Sequence, residues 1–456
     1  MSIISPRLRF IEKFLARFNS VFSTEHQRTV FKEFIYGMFS DYKRLSLAAI
    51  ADNTHTNYQR LQYFFSEANW NIKELNDIRI KILQNQRTTK ANIKGVLAID
   101  DTACPKPHAQ KTEGAQVQYC GCLGKEENAN VAVASCFVSN SKHFPVDFKS
   151  YLPITTPNPK NFKSKLDLAK ELIAEAIAKG IPFKSVVTDS WYTSTDLIEF
   201  TASKNVFLTA EVKINRSIFF THPQTKQWRY LTGDKIIPLI KEFYPHKLKT
   251  AAIPQADGTN KNVLYYAFKS KLRDCSTEVQ VIFIFDKWSS TDDKNTHILI
   301  TTDLAMSVRS AILTYLLRWG IEESFHELKD TFCFDQYQVR HQEQIQKHWI
   351  MSFLSWTLAY WIKQNGCLSK ILNEAPQTIG ECKQAVASLI IIDSSFLLSK
   401  NKELAAQLYN IKSERFKKKL KNCRVEQWRT CRLQGGMFPP SPHQTVLEVF
   451  PHTAFR

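Results

Sequence analysis

Residues 96–100 read VLAID, residues 131–139 VAVASCFVS, residues 144–152 FPVDFKSYL and residues 183–189 FKSVVTD. The first two are compact β-branched and apolar runs, the third alternates apolar and polar positions, and the fourth is again apolar up to its terminal Asp189. Between the third and fourth lies a helical pattern, roughly Lys163 to Lys179, with Leu166, Leu168, Leu172, Ile173 and Ile177 on its apolar face and Gly180 and Pro182 ending it. Strand, strand, strand, helix, strand is the resulting order, with the first three strands expected to be antiparallel neighbours. An α/β core is predicted over 91–204.

Outward from this core the periodicity changes. Residues 1–90 are predicted to be helical: Leu8, Ile11, Phe14, Leu15 and Phe18 recur at helical spacing, as do Phe31, Phe34, Ile35 and Phe39. Within that region a short helix through Ile50, a polar turn at Asp52 to Thr56 and a second helix from Tyr58 to Phe65 outline a helix-turn-helix, a motif able to present its second helix to a DNA groove. Residues 205–303 hold the strand-like runs VFLTAEV, VLYYAF, VQVIFIF and HILITT and little helical periodicity, so a mostly β insertion is expected there. Residues 304–345 return to helix and complete the core. Residues 346–456 form a helical C-terminal region whose pattern runs almost to Tyr409, followed by a basic segment, Lys412 to Arg424, with seven Lys/Arg and one Glu.

The 456 residues are 43% apolar, enough to bury a large core. Lys plus Arg total 61 against 43 Asp plus Glu, a formal charge of +18 that attracts polyanions such as nucleic acid. The opening MSIISPRLRFIEKFLARF carries scattered charges and does not read as a signal peptide. The most apolar run, Ile350 to Ile362, falls short of the about 20 residues that span a bilayer. A soluble, cytoplasmic protein without a membrane partner is expected. Ten cysteines run from Cys104 to Cys431 with one close pair, Cys120 and Cys122, which favours reduced, mostly buried thiols over a zinc site.

Acidic residues at the ends of buried strands lie at the sheet rim, where an ion can be held and still meet substrate. Asp100 and Asp101 follow VLAI, and Asp189 follows SVV. Two carboxylates held a few ångströms apart repel unless a cation neutralises them, and oxygen-only ligands favour Mg²⁺ or Mn²⁺ over zinc. For a single aspartate the bland alternative is a turn or cap residue. A third carboxylate lies in YLLRWGIEESFHELKDTF, residues 315–332: read as one helix, Tyr315, Arg318, Glu322 and Lys329 at offsets 0, 3, 7 and 14 fall within about 60° of one another, a stripe about 21 Å long. Such a stripe suits a substrate with repeated phosphates. The alternative is a solvated face with an Arg318–Glu322 ion pair at i, i+4 spacing.

The spacing Tyr, two residues, Arg, three residues, Glu, six residues, Lys resembles the third motif of the cut-and-paste insertion-sequence transposases of the DDE superfamily. AIDDTACPKP (98–107) looks like their first-aspartate motif, QYCGCLGKEENANVAV (118–133) like the hairpin leading to the second strand, and VVTDSWY (186–192) like the second-aspartate motif. The resemblance implies a ribonuclease-H-like core interrupted by a β insertion between the second Asp and the Glu. It implies that Asp100, Asp189 and Glu322 are catalytic and hold two Mg²⁺ or Mn²⁺ ions. Asp101 is the alternative first ligand, since an Asp followed two residues later by Thr is matched by Asp100 and Thr102. It further implies that Tyr315, Arg318 and Lys329 hold transposon-end DNA. Apart from the resemblance, Arg340, just beyond the Glu helix, is expected to be a further DNA contact.

The activity so implied is metal-dependent cleavage at transposon ends and strand transfer into target double-stranded DNA, in a bacterial nucleoid, by a dimer on paired ends. Some relatives stack a flipped base on a Trp in the strand before the Glu helix, where this chain has His297. Trp288, Trp319 and Trp191 are alternative platforms, although large aromatics are expected to pack in the core. Two other readings stay open: a DNA-binding descendant without chemistry, and a metal-dependent nuclease that cuts without joining. An aspartyl-phosphatase motif is excluded, because it needs one residue between its two aspartates.

Overall fold

The computed structural model describes residues 8–400 except 41–44, 55, 155–161, 255–257, 286–295, 370 and 373. The basic segment 412–424, the helical pattern beyond residue 400 and Trp288 lie outside the described residues. The chain divides into two units. One is Arg7–Ala387; the other joins Met1–Pro6 to Ser388–Arg456, and its described residues are the end of helix α12 (Ile379–Lys400).

The first unit is built on one mixed sheet of ten strands. The sequence-predicted strands are β1 (Val96–Pro105), β3 (Lys125–Ser139), β4 (Lys142–Tyr151) and β5 (Ser185–Thr188), with a short β2 (Gln116–Cys120) that pairs with the start of β3. As expected, β1, β3 and β4 are antiparallel neighbours. On the other edge of β1, β5 runs parallel to it, and β6 (Phe207–Glu211) runs parallel to β5. The crossover between β4 and β5 uses α6 (Lys165–Ala178), started by a capping box between Ser164 and Asp167. Helix α7 (Thr195–Ser203) links β5 to β6.

The 205–303 region does not form a separate sheet. Its first strand, β6, sits between β5 and β12 (Thr296–Thr301). The sheet then continues through β11 (Glu278–Phe285), β10 (Asn260–Lys271) and β9 (Lys249–Pro254). Only β7 (Ser217–Thr221) and β8 (Trp228–Thr232) form a hairpin of their own. The region also contains helix α8 (Gly233–Phe243), against the expectation of little helix. Its apolar signal, Ile236, Ile237 and Ile240, is short and is interrupted by Pro238, which hides the period from sequence inspection.

Both faces of the sheet are covered. Helix α6 packs on β3 and β4, while α10 (Trp319–Phe332) packs on β1, β3 and β4. Under α10, Val96, Ala98, Cys136, Val138, Val187 and Ile321 form one buried cluster, with Leu317 and Phe325 against it. Gly320 permits this approach, since a Cβ there would come within 2.6 Å of Val138 Cγ1.

Helix α11 (Gln342–Gln364) is buried almost all round, because it runs between β4 and α10 on one side and the N-terminal helices α2 (Glu25–Met38), α4 (Tyr58–Ser66) and α5 (Ile72–Gln84) on the other. Arg79 of α5 is fully buried and bolts these layers together. It donates to the carbonyls of Pro145 and Val146 on β4 and to Thr357 Oγ1 on α11. Helices α3 (Leu47–Thr54) and α4 pack on each other and on α2, in the place where a helix-turn-helix is expected; Tyr58 and Tyr63 of α4 are exposed. No helix among the described residues is long and apolar enough to cross a membrane.

Candidate active site

Successive side chains of a strand point to opposite faces, and this alternation separates the two adjacent aspartates. Val96 and Ala98 face α10, so Asp100 faces it too. Asp101 points the other way, where its Oδ2 accepts from Lys165 Nζ at 2.8 Å and its Oδ1 from the Tyr192 hydroxyl at 2.8 Å. Its two oxygens are thus occupied by the chain itself.

Asp189 stands beside Asp100 because of register. Strands β1 and β5 are paired in parallel up to Ile99 and Thr188, and each aspartate is the next residue. The Oδ1 of Asp189 accepts the backbone N–H groups of Trp191 (3.0 Å) and Tyr192 (3.2 Å), which fixes the carboxylate at the turn after β5. Asp100 is largely desolvated, and burial together with the negative charges of Asp189 and Asp101 pushes its pKa up to about 7. A carboxylate raised by its own burial and by neighbouring like charges gains most from a nearby cation. The cation that the chain supplies is Arg318, whose Nη1 lies 3.3 Å from Asp100 Oδ2 and whose Nη2 lies 2.7 Å from Glu322 Oε1. Arg318 therefore joins Glu322 to Asp100, and the expected i, i+4 pair is present as part of a three-residue link.

The single helical stripe expected over 315–332 is broken. Helix α9 (Val308–Leu316) ends before Arg318, and α10 begins after it. Arg318, Gly320 and Ile321 donate to carbonyls three residues back, a tightened turn in place of a continuous α-helix. Tyr315, on the far side of that turn, donates to Glu211 Oε2 at 2.8 Å instead of joining Glu322. Lys329 reaches back to β1, where Nζ donates to the Ala103 carbonyl at 2.8 Å. Arg340 is exposed in the segment after α10 and shares no hydrogen bond or ion pair with the three carboxylates.

Glu211 is a fourth acidic group at this rim that sequence inspection missed. It ends β6 and holds both Tyr315 and, through Oε1, His297 Nδ1 at 2.8 Å. Burial raises its pKa, but the hydrogen bonds from His297 and Tyr315 outweigh this and leave it below the usual glutamate value. Only the pairing of β6 beside β5 brings it near, a long-range fact absent from local pattern. His297, expected in place of a stacking Trp, is thus a hydrogen-bond partner of Glu211. Two tryptophans expected in the core are at the surface: Trp191 is 48% exposed and Trp319 60% exposed. Trp191 stands in the turn after β5, two residues beyond Asp189, and Trp319 is the first residue of α10.

Among the described residues no group of three or more His, Cys, Asp and Glu side chains stands arranged to hold a metal ion. The donor chemistry nevertheless fits a hard divalent cation. Asp100 and Asp189 offer oxygen alone, Glu322 is one arginine away, and the raised pKa of Asp100 marks a site short of positive charge.

Comparison with known proteins yields a family. The family model described as DDE superfamily endonuclease matches residues 17–266, which include Asp100 and Asp189 and end before Glu322. The probable transposase for insertion sequence element IS701 of Microchaete diplosiphon is 30% identical over 193 residues, 41% of this chain and 49% of that protein, so the chain spans about half the length of the curated relative it matches. Among solved structures, the NurA nuclease from Sulfolobus solfataricus is 12% identical with a TM-score of 0.25, covering 72% of this chain and 98% of its own. The Drosophila P element transposase strand transfer complex is 9% identical with a TM-score of 0.21, covering 86% and 87%. Both scores are too low to bear on the fold.

Proposed function

The chain belongs to the DDE superfamily of endonucleases, and from that premise we propose that it is a DNA transposase that cuts at the ends of its element and joins them to target DNA. The observation that carries this reading is the pair Asp100 and Asp189 at adjacent ends of parallel strands, with Glu322 tied to Asp100 through Arg318. The strand order β4-β3-β1-β5-β6 supports a ribonuclease-H-like core. The segment from β7 to β12 then enters between β6 and the helices carrying Tyr315, Arg318, Glu322 and Lys329. The spacing of those four fits the transposase signature.

Asp100, Asp189 and Glu322 would hold two Mg²⁺ or Mn²⁺ ions. Bound there, such ions supply activation of an attacking oxygen and stabilisation of a leaving oxygen at a phosphodiester. Asp100 is preferred to Asp101, because Asp101 is already bound by Lys165 and Tyr192. The chain's own residues do the rest. Asp189, fixed by two backbone N–H groups, keeps its place at the rim. Arg318 neutralises Asp100 and Glu322 while no other cation is present, and released from them it can grip a phosphate with its planar fork. Lys329, near β1, and exposed Arg340 would contact the DNA backbone, and Tyr315 is positioned by Glu211. The exposed face of α4, with Tyr58 and Tyr63, is the part of the N-terminal region suited to a DNA groove.

The test is incubation of the purified protein with Mg²⁺ or Mn²⁺ and DNA carrying the ends of its own locus, beside Asp189→Ala and Glu322→Ala. Cleavage and joining, both lost in the variants, is the expected result. Cleavage without joining would make it a nuclease. Binding without cleavage in the parent would make it a DNA-binding descendant.

A further inference from the structure

Beyond Asp189 the rim opens into a cavity of about 480 Å³ that the catalytic residues do not line. Three loops build it. The turn after β5 brings Trp191 and Ser194, the β6–β7 loop brings Lys213 and Arg216, and the turn after β10 brings Arg273 and Asp274. The loops meet because β6 runs parallel to β5, so its C-terminal end emerges at the same edge as Asp189, and because Leu272 bridges to Ile218 of β7.

The cavity's charge is unbalanced. Lys213, Arg216 and Arg273 bring three cations against one carboxylate, and none of the three forms an ion pair among the described residues. The Nε of Arg216 is buried without an acceptor. A buried donor with no partner costs stability unless a ligand supplies the acceptor. At the mouth stands Trp191, half exposed, with its backbone N–H on Asp189 Oδ1 and the Lys165 ammonium 5.3 Å from its ring centre. Arg273 lies over the Tyr230 ring, 5.6 Å from its centre, which leaves its charge without a carboxylate partner. An exposed indole beside such cations combines the two elements that hold a single nucleic-acid strand: a stacking surface for a base and charge for the phosphates.

We propose that this cavity binds an unpaired stretch of DNA strand leaving the catalytic centre, with one base on Trp191 and successive phosphates on Lys213, Arg216 and Arg273. The assignment rests on the transposase reading for its polymer and adds a single-strand subsite to it. The interior of a duplex cannot use the subsite fully, because a base stacked between its neighbours has no face free for Trp191.

The test is fluorescence anisotropy of the full chain in EDTA, which prevents cleavage, with labelled 12-nucleotide oligo(dT) and with a blunt 20-base-pair duplex, over a range of salt. Arg216→Ala/Arg273→Ala is expected to weaken single-strand binding at least tenfold and to lower its salt slope by about 1.4, at about 0.7 per lost phosphate contact on single strands. Trp191→Ala is expected to weaken it several-fold, and Trp191→Phe to restore most of the loss. Duplex binding should change less than threefold in each. Lys204→Ala/Lys235→Ala removes the same charge outside the cavity and is the control for general electrostatics. If the cavity variants match that control, the subsite is overturned while end cleavage by the parent leaves the transposase reading intact. If the parent binds neither DNA, both fail.

Discussion

Asp100 and Asp101 are chemically identical neighbours, and the strand alternation sends them to different environments. Asp101 is satisfied by Lys165 and Tyr192; Asp100 faces Asp189 and shares Arg318 with Glu322. Because the folded pKa of Asp100 is raised from 3.8 to about 7, the folded state holds a proton that the unfolded state has lost. Its contribution to stability is therefore full below pH 3.8 and is lost as pH rises through about 7. In metal-free protein Asp100→Asn should stabilise the fold at pH 8 by about 1 to 4 kcal/mol and flatten the fall between pH 4 and 7, as read by urea unfolding. Asp101→Asn should instead destabilise the fold, costing about 1 to 3 kcal/mol at pH 7 because Lys165 loses its carboxylate. Equal pH profiles for the two variants would contradict the division of roles.

At the scale of elements, the geometry of the proposed site depends on how closely α10 lies on the sheet and on the buried helix behind it. Gly320→Ala should push the helix off Val138, cost about 1 to 3 kcal/mol in thermal unfolding and depress cleavage through Glu322 with it. In α11, His348 is buried and its Nε2 lies 3.0 Å from the Cys333 carbonyl oxygen; burial lowers its pKa from 6.5 to about 4. A lowered histidine pKa means stability is intact above 6.5 and is lost as pH falls toward 4, with about 3 kcal/mol as the ceiling. His348→Gln should remove that part of the acid sensitivity, measured as unfolding free energy at pH 4.5 against pH 7.

The element scale also separates what the chain makes readable from what it does not. Strands such as VLAID and SVVTD announce themselves because local burial alone sets their pattern, and both rim aspartates follow. The break at Arg318 escapes inspection, because a tightened turn keeps nearly helical spacing while redirecting Tyr315 to β6. Glu211, the exposure of Trp191 and the helix over Gly233–Phe243 are likewise invisible in local pattern, since each depends on which strand lies beside which.

For the whole molecule, the charge of +18 suits a polyanion larger than one strand. If the proposed reaction takes one active site to each of two paired ends, the DNA complex holds two protomers, which native mass measurement of the end-bound species would report; one protomer turning over both ends would refute it. The three carboxylates can be read directly by EPR titration of Mn²⁺ into the DNA-bound protein and its Asp100→Asn, Asp101→Asn and Glu322→Gln variants. Tight Mn²⁺ binding retained by Asp101→Asn and lost by the other two is the predicted result. Binding that survives Asp100→Asn and disappears in Asp101→Asn would contradict the account.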